Sequence, residues 1–125
     1  MQSLGVDIVS VDRIAGLLAR HGDRFLTRCF QSQEAMVATR PGRAGAQAVA
    51  ARWAAKEACI KAFGSQGRTI PYRDIEVLKS VMGEPSLQLH GLARSIHEAL
   101  GSPRILISLS HEREMAVAVV AFVAD

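Results

Sequence analysis

The stretch from Arg43 to Phe63 is Ala-rich, contains no proline and is followed directly by Gly64. Alanine is the strongest helix former, and glycine is the usual residue of a left-handed helix stop. One long helix is therefore expected here, and the rest of a short chain must pack around it. Ala46, Val49, Ala50, Trp53 and Ile60 recur at the three- and four-residue steps of one helix face. The position that stripe demands between Trp53 and Ile60 is 57, and it holds a glutamate. A carboxylate on a packed face is costly unless a partner neutralises it.

Asp7 is a second acid of this kind. It interrupts Leu4-Gly5-Val6-Asp7-Ile8-Val9, a run that otherwise reads as a buried strand. Two carboxylates that meet repel, which favours either a shared proton or a recruited cation. No His or Cys stands at ligand spacing nearby, so only oxygen ligands are on offer, and these suit Mg²⁺. Mg²⁺ takes one or two carboxylates and keeps its other positions for water and substrate phosphates. Asp7 and Glu57 are thus the expected metal ligands. Lys61, Arg52 and Arg43 flank them and would bind further phosphate oxygens. The residues alone point to a Mg²⁺-dependent site for a polyphosphorylated ligand.

Around this pair the pattern predicts a first strand at 4–9, then a helix with Ser10 as N-cap and Ile14, Leu17, Leu18 and His21 on one side. Gly22 is a possible breaker. If the helix stays continuous, Arg13, Arg20 and Arg24 share another side. That side reads either as a solvated charged face or as a docking surface for an acidic partner. A short helix or irregular segment is expected at 31–40, followed by a Pro41-Gly42 turn and the long helix. A loop at 65–73, strands at 75–78 and 86–89, a helix at 91–100 and strands at 105–110 and 116–123 complete the order. This order predicts an α+β domain, with a mostly antiparallel sheet packed against a long central helix.

The chain has 125 residues, enough for one domain spanning 1–125. Only 5% are aromatic, so the core must be built from small aliphatic residues, and oligomerisation would help it bury surface. The net charge of +3, the few aromatics and the absence of a basic run argue against nucleic-acid binding. Cys29 and Cys59 stand far apart and read as reduced, packed thiols of a cytoplasmic protein. The N-terminus lacks the basic region of a signal peptide, and the longest apolar run, Met115 to Ala124, is too short for a membrane helix.

Three motifs stand in order along the chain. They are Gly5-Val6-Asp7-Ile8-Val9, Arg52-Trp53-Ala54-Ala55-Lys56-Glu57-Ala58 with Lys61-Ala62-Phe63-Gly64, and Ser108-Leu109-Ser110-His111-Glu112. Together the chain resembles the small bacterial holo-[acyl-carrier-protein] synthases of the 4′-phosphopantetheinyl transferase superfamily. The resemblance implies an enzyme that moves the phosphopantetheine arm of coenzyme A onto a serine of apo-acyl carrier protein and releases adenosine 3′,5′-bisphosphate. It implies Asp7 and Glu57 on Mg²⁺, with Asp7, Glu57 and Lys61 catalytic. It implies coenzyme A held by Arg43, Arg52, Lys61, Gly64, Ser110 and His111, and an acidic carrier helix received by Arg13, Arg20 and Arg24. It further implies a homotrimer with active sites between subunits. Glu57 and a metal-bound water both stand as the base that takes the serine proton. Ser65-Gln66-Gly67-Arg68 departs from the common pattern, because Gln66 stands where many members have a glycine.

Overall fold

The computed structural model describes residues 2–124. Strand β1 (Ser3–Ser10) runs into helix α1 (Val11–Cys29). Ser10 caps α1, its Oγ accepting from Arg13 N at 3.2 Å. The backbone leaves helical geometry at His21 (φ −139°, ψ 29°), so α1 is kinked one residue before Gly22. Helix α2 (Ser32–Ala35) continues as a 3₁₀ turn to Thr39, and α3 (Arg43–Ala62) follows the Pro41-Gly42 turn. Gly64, at φ +73°, ends α3 in the left-handed conformation expected of it. Strands β2 (Ile75–Lys79) and β3 (Pro85–Leu89) form a hairpin. Helix α4 (Gly91–Ala99), β4 (Arg104–His111) and β5 (Met115–Val123) close the chain.

The expected α+β class holds, with one revision. Among the described residues the strands form two antiparallel sheets rather than one, β1-β5-β4 and β2-β3. β3 runs beside β4 without joining its ladder. The expected loop at 65–73 is largely 3₁₀, over Gly64–Thr69 and Tyr72–Asp74. Gln66 needs no glycine there: among the described residues Ser102 alone is a non-glycine with positive φ.

Helix α3 is the centre of the molecule. It packs on β1 and β5 on one side and on α1, the α2 turn and β2 on the other. From Ala48 to Ile60 every residue is buried except Trp53, Glu57 and Ile60, which are half-buried. This corrects the sequence reading. Ala46, Val49 and Ala50 of the expected stripe are buried, but its later positions 53, 57 and 60 are only half-buried, and alanines fill the other packed faces. Small side chains let neighbours approach closely. A Cβ on Gly5 would lie 1.9 Å from the Ala58 carbonyl oxygen, so only glycine lets β1 cross α3 at that point.

β1 is likewise not buried on both faces. Gly5 and Val9 are buried toward α3, while Leu4, Val6 and Ile8 face outward, Ile8 at 63% exposure. Leu106, Met115 and Val119 of β4 and β5 are also exposed.

Candidate active site

The alternation of β1 puts Asp7 on the same side as Gly5 and Val9, toward α3. Lys61 on the last turn of α3 donates from Nζ to Asp7 Oδ1 at 3.1 Å and to the Val6 carbonyl at 2.9 Å. Glu57 lies one turn earlier, about 6 Å along the helix axis. Tyr72 Oη donates to Glu57 Oε1 at 3.1 Å. Burial first, then the Glu57 carboxylate and more weakly Asp7, push the Tyr72 phenol up to about 12. Both acids therefore bear on one phenol.

Among the described residues Asp7 Oδ2 and Glu57 Oε2 take no hydrogen bond. Asp7 keeps 17% of its side-chain exposure. Among the same residues no group of three or more His, Cys, Asp or Glu is placed to hold a metal. Two carboxylates, each with one free oxygen reachable from solvent, make an incomplete all-oxygen donor set. That set fits Mg²⁺, which fills its remaining positions from water and phosphate, and does not fit zinc or copper.

A second polar group sits on another flank of α3. Arg40, Arg52, Lys79 and His111 line a cavity of about 110 Å³ with Ala44, Gln47, Ala48 and Ala51. Arg52 is 5% exposed and donates from Nη1 to the Ala48 carbonyl at 3.1 Å. Its Nε is buried without a partner among the described residues. Burial and then the neighbouring Arg40 lower the Arg52 pKa; burial, Arg52 and Arg40 lower that of Lys79. Among the described residues no acid lines this cavity. An orphaned guanidinium N–H among crowded cations is a place built for an anion. Arg52 and Glu57, five residues apart, point about 140° apart around α3.

The remaining sequence candidates lie elsewhere. Arg43 pairs with Asp12 at 2.8 Å and donates from Nε to the Arg113 carbonyl at 3.0 Å, outside the lining of the cationic cavity. Gly64 is exposed just beyond Lys61, and Ser110 is exposed beside His111. Arg13, Arg20 and Arg24 are all exposed, but the His21 kink removes the single straight face they were expected to share. Arg24 lines a cavity of about 390 Å³ with Leu17, His21, Phe25, Arg28, Cys29 and Trp53.

Sequence reasoning missed Tyr72, Arg40 and Lys79. Arg40 and Lys79 reach the cavity from the ends of a 3₁₀ turn and of β2, and no spacing rule joins them to Arg52. It also missed that Lys56 is fully buried, pairing with Glu34 Oε1 at 2.9 Å.

A family model described as the 4′-phosphopantetheinyl transferase superfamily matches residues 3–120. The chain belongs to this superfamily. It is 42% identical to a holo-[acyl-carrier-protein] synthase of Gloeobacter violaceus, over 98% of this chain and 93% of that one. Identity to a holo-[acyl-carrier-protein] synthase of Halorhodospira halophila is 46%, over 96% and 95%. Among solved structures it is similar to the Helicobacter pylori holo-[acyl-carrier-protein] synthase in complex with coenzyme A (TM-score 0.80, 28% identity, 95% and 98% covered). It is also similar to that of Bacillus anthracis in complex with CoA (3′,5′-ADP), with TM-score 0.77, 33% identity, and 95% and 93% covered. The resemblance read from the three motifs, the enzyme class and the fold are borne out. Among the described residues no helix is long and apolar enough to cross a membrane.

Proposed function

We propose that this chain transfers the 4′-phosphopantetheine group of coenzyme A to a serine hydroxyl of apo-acyl carrier protein, with Mg²⁺, and releases adenosine 3′,5′-bisphosphate. The observation that carries the reading is the pair Asp7 and Glu57 beside Lys61. Each acid offers one unpaired oxygen, and Lys61 spends two of its three N–H donors on Asp7 and Val6.

When bound at Asp7 and Glu57, Mg²⁺ supplies charge neutralisation for a diphosphate. The third N–H of Lys61 is left for a substrate oxygen and would stabilise the charge that grows as the phosphorus–oxygen bond to the leaving bisphosphate breaks. The serine oxygen forms the new bond to phosphorus. Its proton goes to Glu57 or to water. The cationic cavity of Arg40, Arg52, Lys79 and His111 suits the 3′-phosphate, a compact dianion.

These two groups lie on different flanks of one helix. A single coenzyme A reaches both most simply when two copies of the chain each bring one of them. A homotrimer with sites in the clefts between subunits meets that need. Its interface would cover the outward apolar residues of the three-stranded sheet, Leu4, Val6, Ile8, Leu106, Met115 and Val119. Arg13, Arg20 and Arg24 on α1 would receive the acidic carrier helix. Buried free Cys29 and Cys59 suit a reducing cytoplasm.

The test is mass spectrometry of an apo carrier protein after incubation with coenzyme A and Mg²⁺. Wild type adds the mass of one phosphopantetheine arm. Asp7→Ala, Glu57→Ala and wild type with excess EDTA do not. No gain from folded wild type with a carrier that a known transferase modifies overturns the proposal.

A further inference from the structure

Tyr72 is the one tyrosine of the chain, and three residues of α3 grip it. Trp53 lies against its ring, with centroids 4.4 Å apart. Lys56 Nζ donates to its carbonyl oxygen at 3.1 Å. Glu57 Oε1 accepts from its hydroxyl at 3.1 Å. Residues 53, 56 and 57 share a helix face, so a rigid helix clamps the ring, the backbone and the phenol at once. Lys56 is itself immobilised: it is 0% exposed, and it also donates to Glu34 Oε1 and to the Ile75 carbonyl. Glu34 Oε2 accepts from Val77 N at 2.9 Å, which ties the same group to β2.

We propose that Tyr72 is a positioning residue for Glu57. Its hydroxyl holds Oε1 and thereby fixes the carboxylate with Oε2 left for the metal. This inference rests on the reading above, in which Glu57 holds Mg²⁺. A half-buried glutamate has three side-chain torsions, and a metal ligand free to swing loses affinity. A hydrogen bond to the oxygen that does not face the metal removes that freedom, and such supporting bonds are commonly worth about tenfold to a hundredfold in metal affinity. The ring packing is separate from this effect. Phenylalanine at 72 keeps the stacking on Trp53 and the bond from Lys56, and it loses only the hydroxyl.

The test measures Mn²⁺ binding by electron paramagnetic resonance on substrate-free wild type, Tyr72→Phe and Glu57→Gln, with melting temperature alongside. The expected result is a Kd raised about tenfold in Tyr72→Phe at an unchanged melting temperature, and binding lost in Glu57→Gln. If Glu57→Gln loses Mn²⁺ while Tyr72→Phe binds within twofold of wild type, the inference fails and the metal reading stands. If Glu57→Gln binds like wild type, both fall. A second measurement does not depend on the Phe variant. With ¹³Cζ-labelled tyrosine, wild type gives one resonance, and saturation with Mg²⁺ is expected to shift it, whereas in Glu57→Gln it stays put. A resonance that ignores Mg²⁺ in wild type overturns the proposal.

Discussion

Lys56 and Lys61 leave the same helix less than two turns apart and do opposite work. Lys56 is sealed, and its three donors are all satisfied, by Glu34, the Tyr72 carbonyl and the Ile75 carbonyl. Lys61 is 54% exposed at its side chain, and it spends two donors inside the protein. An ammonium has three donors and no acceptor, so the count separates the two roles. A lysine with nothing left to give holds the structure together. A lysine with one donor turned outward is available to a ligand. Burial and the presence of an acid do not make the distinction alone, since each lysine has a carboxylate partner.

The largest effect that tests this contrast is Lys56→Met. It leaves Glu34 buried and uncompensated, and is expected to cost about 3–5 kcal/mol of stability by chemical denaturation. The double variant Lys56→Met with Glu34→Leu should recover most of that loss, because an apolar pair of similar volume replaces the ions. If Lys56→Met melts like wild type, the buried pair is not structural and the comparison breaks.

Lys61→Ala is the counterpart. Its stability should stay within about 1 kcal/mol of wild type, because the Asp7 pair is partly exposed. Its transfer rate should fall about a hundredfold to a thousandfold, as for other single donors aimed at developing charge. A destabilised but active Lys61→Ala would reverse the assignment of the two lysines.

The smallest effect concerns the cationic cavity. Lys79→Gln should raise the KM for coenzyme A about threefold to tenfold, with the modest size set by the exposure of Lys79. KM for dephospho-coenzyme A, which lacks the 3′-phosphate, should not move. Equal changes for both substrates would show that Lys79 does not meet that phosphate.

Much of this arrangement was legible in the residues. The start of α1 at Ser10, the stop of α3 at Gly64 and the order of the last four strands follow from local rules of capping, alternation and turn chemistry. Asp7 and Glu57 were found, but Glu57 for the wrong reason. The spacing rule holds for Ala46, Val49 and Ala50, which are buried, and fails in part at Trp53 and Ile60, which are half-buried. An Ala-rich helix in the centre of a domain packs mostly by its small residues, and here Trp53 and Ile60 are left half-buried at the edge of the core. The same error hid Lys56. A helix that is alanine on nearly every face offers few solvated positions, so a charge between such alanines has to find a partner, and Glu34 was 22 residues away. Tyr72, Arg40 and Lys79 left no periodic trace, because tertiary packing brings them from three separate turns and strand ends.

The absence of a side chain at residue 5 sets the scale of the whole centre. Bare backbone meets bare backbone there, and the next residue of β1 on that side is Asp7. Any thicker residue would push the strand off the helix and carry the aspartate with it, while a slip of one place would present Val6 to Lys61 instead. A position with no chemistry of its own thus acts as the ruler against which the two carboxylates are measured, and even alanine there should dismantle the centre without touching a charged atom.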